Sequence, residues 1–390
     1  MLFLTALNCA CSMVDADNSR TGARDARQAH VLAVGPGKTL KRPSMAAKVA
    51  HNGDTVEIAA GTYPGDAAVW RQNNLTIRGV NGRAHLKANG AAAEGKAIWV
   101  IKGKNTTVES IEFSEAKVAD KNGAGIRQEG PGLTVRDCYF HDNEMGILTG
   151  ANPASEIVIE RSEFANSGVE QGTTHIGHNI YIGAVRRFTL RASYSHHAMI
   201  GHNVKSRARE NYLLYNQIAD GSDGTASYEV ELPNGGLSFL IGNVIQQGPR
   251  TENDAIISYG AEGLGAGTNE LYVINNTIVN DRPGGGRFVV VASRTQQVTI
   301  LNNVLAGPGT LLVGPGQPTD NIQVADSGFV DRAQYDYHLQ RGSPAIDRGS
   351  PPGEAHGFAL TPVAQYVHPC REEPRPVAGA LDCGAYEFAQ

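Results

Sequence analysis

Short apolar segments recur along most of the chain, and apolar and polar residues alternate within each of them. Alternation with a period of two residues is typical of a β-strand that has one face buried. The segments begin about 23 to 33 residues apart, which is the length of one solenoid coil and too short for a domain. Nine segments show the pattern: NNLTIRGV from Asn73, NTTVESIEF from Asn105, GLTVRDCYFHDNEMGIL from Gly132, SEIVIERSEFANSG from Ser155, RFTLRASYSHH from Arg187, NYLLYNQIADG from Asn211, LSFLIGNVIQQG from Leu237, ELYVINNTIVN from Glu270 and QVTILNNVLAG from Gln297.

A polar Asn, Asp or Ser interrupts each segment at a bend, and a second apolar pair follows it. Neither half of such a unit can bury its apolar face alone, so successive units must stack on one another. The pattern therefore predicts an all-β, single-domain fold: a right-handed parallel β-helix of about ten or eleven coils between Val31 and Val324. The 46 Gly and 18 Pro residues suit many short strands joined by tight turns. A helix is predicted only at Pro43–Val49, in a segment expected to cap the first coil.

The two ends of the chain differ from the repeating part. Residues 1–29 contain a short apolar run followed by small residues, which we interpret as a secretory signal or a disordered segment, so we expect a secreted or periplasmic protein. Residues 30–326 form the predicted β-helix domain, and residues 327–390 are expected to cap its last coil. Cys370 and Cys383 in this tail can form a disulfide in an oxidising compartment.

Charge and hydropathy limit the classes of partner. The net charge of −5 argues against a general nucleic-acid binder, and no apolar run reaches the roughly 18 residues of a membrane span. The stretch from Gln171 to Arg209 is different, because it contains six Lys or Arg residues and five His residues but no Asp or Glu. Such a positive band indicates an anionic ligand. A linear uronic-acid polysaccharide fits the long open groove of a β-helix, and we expect the protein to act as a monomer.

Alignment of the apolar positions places the side chains of successive coils in columns. The inward column is predicted to contain Ile126, Ile147, Ile180, Val204, Val230 and Ile257. One outward column contains Arg127, Leu148, Tyr181, Lys205, Glu231 and Ser258, and the adjoining column, also expected to face outward, contains Gly125, Gly146, Asn179, Asn203, Glu229 and Ile256. Because neighbouring coils are about 4.8 Å apart, these columns should bring an amine, a phenol, amides and carboxylates together.

Cleavage of a uronic-acid polymer by β-elimination fits this cluster. The reaction removes the proton on the carbon next to a carboxylate, and that proton becomes acidic enough only when a cation neutralises the carboxylate. A lysine that is crowded by other positive groups loses its own proton more readily. Lys205, with Arg207 and Arg209 in the same segment, is therefore a candidate base. Tyr181 can donate a proton to the leaving oxygen.

Other polar residues complete the expected site. His178 and His202 stand at the starts of their strands and are rival bases, because imidazole titrates nearer neutrality than an amine. Four residues are expected to contact the substrate: Arg127, Asn179, Arg209 and Arg250. Hard oxygen ligands suit Ca²⁺, and Asn203, Glu229 and Glu231 offer two carboxylates and an amide on adjacent coils.

Two stretches of sequence resemble known families. VAHNGDTVEIAAGTYPG at Val49–Gly65, together with YHLQRGSPAIDRG and DCGAYEF near the C-terminus, resembles the first strand and the C-terminal end of pectate-lyase-like β-helix proteins. That likeness covers most of the chain, but the fold hosts lyases, hydrolases, epimerases, esterases and phage spikes. The segment Asn203–Ile245, which begins NVKSRARENYLL, resembles the catalytic segment of the alginate lyase and chondroitinase B family.

The second resemblance implies specific roles. It makes Lys205 the base, and it implies Ca²⁺ held by an asparagine and a Glu-x-Glu pair, which here would be Asn203 with Glu229 and Glu231. Two departures are visible. The family places these acids before the lysine in sequence, and its Leu-Arg-His-Gly strand reads VELPNGG here, so Arg207 or Arg209 would have to replace the missing arginine.

Other functions remain open from the sequence. A glycoside hydrolase could use Glu229 and Glu231 as its carboxylate pair, a C5-epimerase could use the same proton abstraction, and a non-catalytic protein could bind carbohydrate. The same residues can instead have purely structural roles. Asn179 and Asn203 can form an asparagine ladder, and Lys205 can form a cross-strand ion pair with Glu231.

Overall fold

The alternating segments are parallel strands in a computed structural model that describes residues 29–169 and 177–389. Most coils contribute strands to three rows, and each strand pairs in parallel with the equivalent strands of the coils before and after it. The predicted all-β parallel β-helix is therefore confirmed. The expected export signal at residues 1–29 lies outside the described residues except for Ala29.

One row is a separate ten-stranded sheet, which agrees with the predicted number of coils. Its strands are Ala68–Trp70, Ala97–Ile101, Ala124–Gln128, Met145–Thr149, His178–Ile182, His202–Ser206, Tyr228–Leu232, Ala255–Tyr259, Arg287–Val291 and Thr310–Val313. The other two rows belong to one twenty-stranded sheet, the large sheet, because the long strand Thr76–Lys87 pairs with members of both rows.

The two rows of the large sheet run side by side along the solenoid. The first row contains Val31–Val34, Thr55–Thr62, Thr76–Lys87, Thr106–Glu109, Leu133–Arg136, Asn152–Glu160, Val185–Arg191, Glu210–Leu214, Leu237–Ile241, Glu270–Ile274 and Gln297–Leu301. The second row contains Ile111–Ser114, Tyr139–His141, Glu163–Ala165, Tyr194–His196, Gln217–Ala219, Val244–Gln247, Thr277–Asn280, Val304–Ala306 and Ile322–Gln323.

The core lies between the three rows and is stacked coil on coil. The predicted inward column is confirmed, because its six residues pair in register and are fully buried: Ile126, Ile147, Ile180, Val204, Val230 and Ile257. Phe113, Phe140 and Phe164 stack with ring centroids 4.9 and 4.8 Å apart. This separation equals the spacing of neighbouring strands, about 4.8 Å, so the backbone register fixes the ring stacking. Each such side chain contributes about 1.5–3 kcal/mol when it is fully buried.

A buried ladder of asparagine amides occupies the bend between the two rows of the large sheet. Asn216, Asn243, Asn276 and Asn303 each donate from Nδ2 to Oδ1 of the next asparagine, the last of them to Asn321, over distances of 2.8 to 3.0 Å. They also donate to backbone carbonyls of the preceding strands. Buried polar groups are tolerated when they are hydrogen-bonded. The polar residue that recurs at each bend therefore has a structural role.

The first coil is covered by a helix at the position predicted from the sequence. The helix is Pro43–Val49, and Ala46 and Ala47 on it are buried in the same apolar core as Val56 and Trp70. Proline stands at its first position, where the missing N–H costs no hydrogen bond. No helix among the described residues is long and apolar enough to cross a membrane.

The C-terminal tail packs along the side of the solenoid and also contacts its last coils. Glu372 pairs with Arg191 at 2.8 Å, and Asn302 donates to a tail carbonyl at 2.7 Å. Leu360 packs in an apolar cluster with Phe239 of the large sheet. Besides two short 3-10 turns, Asp326–Gly328 and Arg332–Gln334, the tail contains three antiparallel pairs: Phe329–Asp331 with Asp336–Leu339, Glu354–Ala355 with Phe358–Ala359, and Ala364–Val367 with Arg371–Pro374.

The disulfide predicted between Cys370 and Cys383 is wrong, because both thiols are free and buried. Cys370 follows the strand Ala364–Val367 in the turn of the last hairpin. Cys383 packs in a different place, in the apolar cluster with Val304. The two cysteines are close in sequence, but they lie in different parts of the tail and do not form a bond.

The asparagine ladder makes a prediction about stability. Replacing Asn243 with Ala should lower the free energy of unfolding in urea by about 2–4 kcal/mol, because a lost amide leaves buried groups of Asn216 and Leu213 unpaired at about 1–3 kcal/mol each. The control is Gln317→Ala, which truncates an exposed amide and should change stability by less than about 0.5 kcal/mol. Equal stability of the two variants would contradict this role of the ladder.

Candidate functional site

Three successive strands of the ten-stranded sheet bring the predicted polar residues together. Tyr181 on His178–Ile182 pairs in register with Lys205 on His202–Ser206, and Lys205 pairs with Glu231 on Tyr228–Leu232. Neighbouring strands lie about 4.8 Å apart, so these side chains are adjacent on the outer face of the sheet. The predicted outward column is therefore confirmed at these three positions.

The adjoining column is buried, and its prediction as outward-facing is wrong. Asn179, Asn203 and Glu229 are each 0% exposed. Strict alternation would place His202 and Lys205 on opposite faces, yet both contact the same oxygen of Glu231. The alternation is thus interrupted at Asn203, whose side chain turns inward beside the apolar column. Asn179 bonds inside the fold to Phe164, Ser195 and His196, so it is not available to a substrate.

The interrupted strands enclose a buried acidic pair. Asn203 donates from Nδ2 to Glu229 at 2.6 Å and to Asp220 at 3.1 Å. Burial raises the pKa of Glu229 well above its ordinary value, and the nearby Asp220 adds to the rise. Burial also raises the pKa of Asp220, to about 6, against hydrogen bonds from Thr251, Ala226 and Asn203. The buried position therefore favours the protonated form of Glu229.

The outer face contains an ionised cluster centred on Lys205. Its amine lies 2.7 Å from Glu231 and 3.2 Å from Glu262, and His202 Nε2 lies 2.9 Å from the same oxygen of Glu231. Burial raises the pKa of Glu231, but the hydrogen bonds and charges of His202 and Lys205 outweigh it and lower that pKa to about 2. Lys205 therefore has two carboxylate partners.

Arg207 links this cluster to a phenol. Its guanidinium donates to the hydroxyl of Tyr181 at 2.9 Å and to Oδ1 of Asn234 at 2.6 Å, and it lies 2.7 Å from Glu262. Burial raises the pKa of Glu262, but Arg207 and Lys205 lower it below its ordinary value. Two cations thus converge on one carboxylate, beside a phenol oxygen that already has a donor.

The two histidines lie beside this cluster and are almost completely covered. The rings of His178 and His202 are 4.6 Å apart, and the backbone N–H of His202 donates to His178 Nδ1 at 3.0 Å. Burial lowers the pKa of His178 well below 6.5, and the positive charges of His202, Lys205 and Arg207 lower it further. His178 is therefore neutral with its proton on Nε2. Its other nitrogen is occupied, which leaves it no lone pair for a substrate proton.

The remaining predicted contacts are scattered. Arg127 lies in the same column as Tyr181 but two strands earlier, beyond Leu148. Arg209 is exposed and lines a cavity of about 420 Å³ together with Arg207 and Asn234. Arg250 is exposed in the turn before Ala255–Tyr259. Arg209 is thus the one of these three that lies beside the cluster.

The predicted positive band is largely neutralised. Five of its six Lys and Arg side chains have carboxylate partners, two of them in the cluster described above. The other three pairs are Arg186 with Glu156, Arg187 with Glu210 and Arg191 with Glu372. The partner acids come from adjacent coils and from the tail. The positive charges of residues 171–209 are therefore compensated, although this stretch contains no Asp or Glu. The expectation of an uncompensated positive surface is wrong.

Two residues of the cluster were missed from the sequence. Glu262 lies in the loop after Ala255–Tyr259, and its N–H donates to the carbonyl of Pro233 at 3.0 Å. Asn234 precedes Gly235 and Gly236, whose φ angles of 70° and 95° favour glycine. The Asn-Gly-Gly turn was the available signal, because it marks a tight bend directly beside the lysine strand. No sequence motif near Glu262 indicated its role, because the fold of the loop brings its carboxylate to Lys205 and Arg207.

The residues do not fit the calcium site that the resemblance implies. Ca²⁺ takes about six to eight oxygen ligands that share one cavity. Asn203 directs its nitrogen toward Glu229, and its oxygen accepts from Asn179. Glu231 lies apart from them, on the outer face, with His202 and Lys205 on one of its oxygens. The three predicted ligands therefore do not form one oxygen set.

Comparison with known proteins shows the fold. No protein-family model and no curated protein matches the chain. Among solved structures, pectate lyase Pel9A is 13% identical with a TM-score of 0.63, covering 92% of this chain and 96% of that one. The alginate lyase from Paenibacillus sp. str. FPU-7 is 15% identical with a TM-score of 0.52, covering 74% of this chain and 99% of that one. The chain therefore has the pectate-lyase-like parallel β-helix fold.

The buried acids predict a pH dependence of stability. Because the pKa of Glu229 is higher in the folded protein than its ordinary 4.5, the folded state binds more protons, and stability present below pH 4.5 is lost as the pH rises through the folded pKa. Glu229→Gln keeps a neutral group of similar shape. We expect the variant to be more stable than the wild type at pH 8 and to lose less stability between pH 5 and 8, at about 1.4 kcal/mol per pH unit over the affected range.

Thermal unfolding measured across this pH range tests the expectation. Glu252→Gln is the matched control, since it neutralises an exposed carboxylate in the neighbouring turn and should leave the pH profile unchanged. Parallel profiles for Glu229→Gln and the wild type would show that Glu229 is ionised in the folded protein.

Proposed function

We propose that the outer face of the ten-stranded sheet is the active site of a polysaccharide lyase that cleaves a uronic-acid polymer by β-elimination. The observation that carries the proposal is the convergence of Lys205 and Arg207 on the carboxylate of Glu262, beside the hydroxyl of Tyr181. Lys205 and Arg207 thus form a carboxylate-binding position next to the phenol of Tyr181, a group that can transfer protons. A pectate lyase and an alginate lyase among the structures of the same fold support the assignment.

In this proposal the substrate carboxylate takes the place of Glu262. Glu262 is the exposed member of the cluster, with 45% of its side chain accessible, whereas Glu231 is 6% accessible. Contact with Lys205 and Arg207 neutralises the substrate carboxylate and acidifies the proton on the adjoining carbon. An arginine suits this role, because its planar fork can bind a carboxylate through two hydrogen bonds.

We assign the proton transfer to Tyr181. Lys205, the base expected from the sequence, is held in contact with two carboxylates, Glu231 and Glu262. In this step Tyr181 acts as the phenolate, whose negative charge the hydrogen bond from Arg207 stabilises. The phenolate oxygen takes the proton from the carbon, a carbon–carbon double bond forms as the glycosidic C–O bond breaks, and the Tyr181 hydroxyl gives that proton to the leaving oxygen, which restores the phenolate. Lys205 and Arg207 then act through their charge.

A glycoside hydrolase is disfavoured by the same geometry. Glu229, expected as one of its two carboxylates, is fully buried. Glu231 and Glu262 both contact Lys205, but a hydrolase needs one carboxyl that keeps its proton. The pKa values of Glu231 and Glu262 are both below their ordinary values, because the cations outweigh the effect of burial. Neither residue holds a proton near neutral pH.

Product analysis on a panel of uronic-acid polysaccharides, including pectate and alginate, tests the proposal. Only elimination yields a conjugated unsaturated uronate, so the wild type should produce ultraviolet-absorbing ends. Tyr181→Phe should lower kcat by about 100- to 10,000-fold, the usual contribution of a general acid–base group. Tyr335→Phe, which changes an exposed tyrosine of the tail, should keep full activity.

Other outcomes point elsewhere. New reducing ends without absorbance would indicate a hydrolase, and a changed uronic-acid composition without cleavage would indicate a C5-epimerase. If Tyr181→Phe kept full turnover and Lys205→Ala were inactive, Lys205 and not Tyr181 would be the base.

The displacement of Glu262 makes a separate prediction. Glu262→Gln removes the internal competitor for Lys205 and Arg207, so we expect KM to fall about fivefold, the equivalent of about 1 kcal/mol for an exposed ion pair. The value of kcat should change little, because Glu262 takes no part in the proton transfer. Steady-state kinetics at two salt concentrations measure the effect, with Glu252→Gln as control. A rise in KM would mean that Glu262 contributes to substrate binding.

A further inference from the structure

A second cluster of chemically active side chains lies on the large sheet, in the early coils and away from the ten-stranded sheet. His85, Glu112 and His141 come from three successive coils of the solenoid, on Thr76–Lys87, Ile111–Ser114 and Tyr139–His141. Glu112 Oε1 lies 3.4 Å from His85 Nε2 and 3.1 Å from His141 Nε2. All three side chains are partly buried. Among the residues that the structure describes, no other group of three His, Cys, Asp or Glu side chains converges so closely.

The separations of these atoms match a metal coordination shell. In a tetrahedral site with bonds of about 2.0–2.2 Å to nitrogen and oxygen, neighbouring ligand atoms are roughly 3.3 Å apart. The distances of 3.1 and 3.4 Å in this cluster lie on either side of that value. Two imidazoles and one carboxylate are a common ligand set for Zn²⁺, and they leave the fourth position open.

The proton arrangement around His141 supplies an independent argument. Its Nδ1 lies 2.6 Å from Oδ2 of Asp142, so that nitrogen carries a proton. A neutral imidazole has only one N–H, and the Nε2 of a neutral His141 therefore directs a lone pair toward Glu112. That lone pair is available to a metal ion held between His141 and Glu112. A carboxylate that orients a histidine through its other nitrogen is the usual second shell of a zinc site.

His85 is suited to the same role. It lies on the strand Thr76–Lys87, with Nε2 3.4 Å from Oε1 of Glu112. Ser114, whose hydroxyl lies 2.7 Å from His85 Nε2, can donate to the lone pair of that nitrogen when no ion is bound and rotate away when one is.

We infer that His85, Glu112 and His141 bind a single divalent transition-metal ion, with Zn²⁺ as the best match to the ligand types. The ion joins three successive coils near the N-terminal end of the solenoid, and Asp142 orients one of its ligands. The inference is independent of the proposed lyase activity, because the cluster shares no residue with Tyr181 or Lys205.

The solenoid provides a matched control two coils further on. His196 occupies the position in register with His141 through Ala165. Both histidines stack on a tyrosine two residues earlier, with centroids 4.4 and 4.0 Å apart, and His196 faces Glu163 at 3.2 Å. Within the described part of the chain, however, Glu163 has an ion-pair contact with one imidazole, whereas Glu112 has two.

Titration calorimetry of the untagged, chelator-treated full chain with ZnCl₂ tests the inference. We expect one ion per chain with a Kd in the micromolar range or tighter, an increase in Tm, and no binding of Ca²⁺ or Mg²⁺ at the same concentrations. His141→Ala should remove the binding, and Asp142→Asn should weaken it by about 10- to 100-fold. His196→Ala should bind as the wild type does.

Three results would overturn the inference: no Zn²⁺ binding by the wild type, equal binding by the wild type and His141→Ala, or loss of binding in His196→Ala. If His141→Ala fails to fold, Asp142→Asn decides the question, because it leaves the three ligands in place. Lyase activity enters none of these measurements, so a failed lyase assay and a failed zinc titration are distinct results.

Discussion

The in-register stacking of coils at the spacing of parallel strands is the constraint on which the rest of the structure depends. It repeats each side chain above its equivalent in the next coil, so any favourable contact is made again at every turn. Phe113, Phe140 and Phe164 stack for this reason, and the asparagine amides can bond to one another in a continuous ladder. The same spacing brings Lys205 within ion-pair distance of Glu231.

The stacking also explains why one strand position can separate two kinds of acid. The alternation is interrupted at Asn203 and at Glu229, which occupies the equivalent position on the next strand. The side chains before and after these positions therefore face different environments. Glu229 turns into the interior, where burial raises its pKa, and Glu231 faces outward, where His202 and Lys205 lower its pKa. The pKa values of two glutamates that are two residues apart are thus shifted in opposite directions. The outer face keeps only ionised carboxylates, which suits the binding of an anionic polymer through Lys205 and Arg207.

The two clusters of the solenoid use the stacking differently. At the proposed active site, neighbouring coils supply opposite charges, and a loop residue, Glu262, completes the set. At His85, Glu112 and His141, neighbouring coils supply ligands that converge on one point. Both arrangements need side chains from successive turns, which are more than 20 residues apart in sequence. Each site of this solenoid is therefore formed by single side chains from several successive coils.

The sequence by itself determined the solenoid, its number of coils, the inward column and the adjacency of Tyr181, Lys205 and Glu231. These features follow from a period of two residues and a constant coil length, which are local and repeat. Only the tertiary structure decided that Asn203 turns inward, that Glu262 reaches the lysine, and that the arginines outside the cluster are paired. Interruptions of alternation and the paths of loops and tail depend on packing between segments far apart in the chain, and no periodic pattern encodes them.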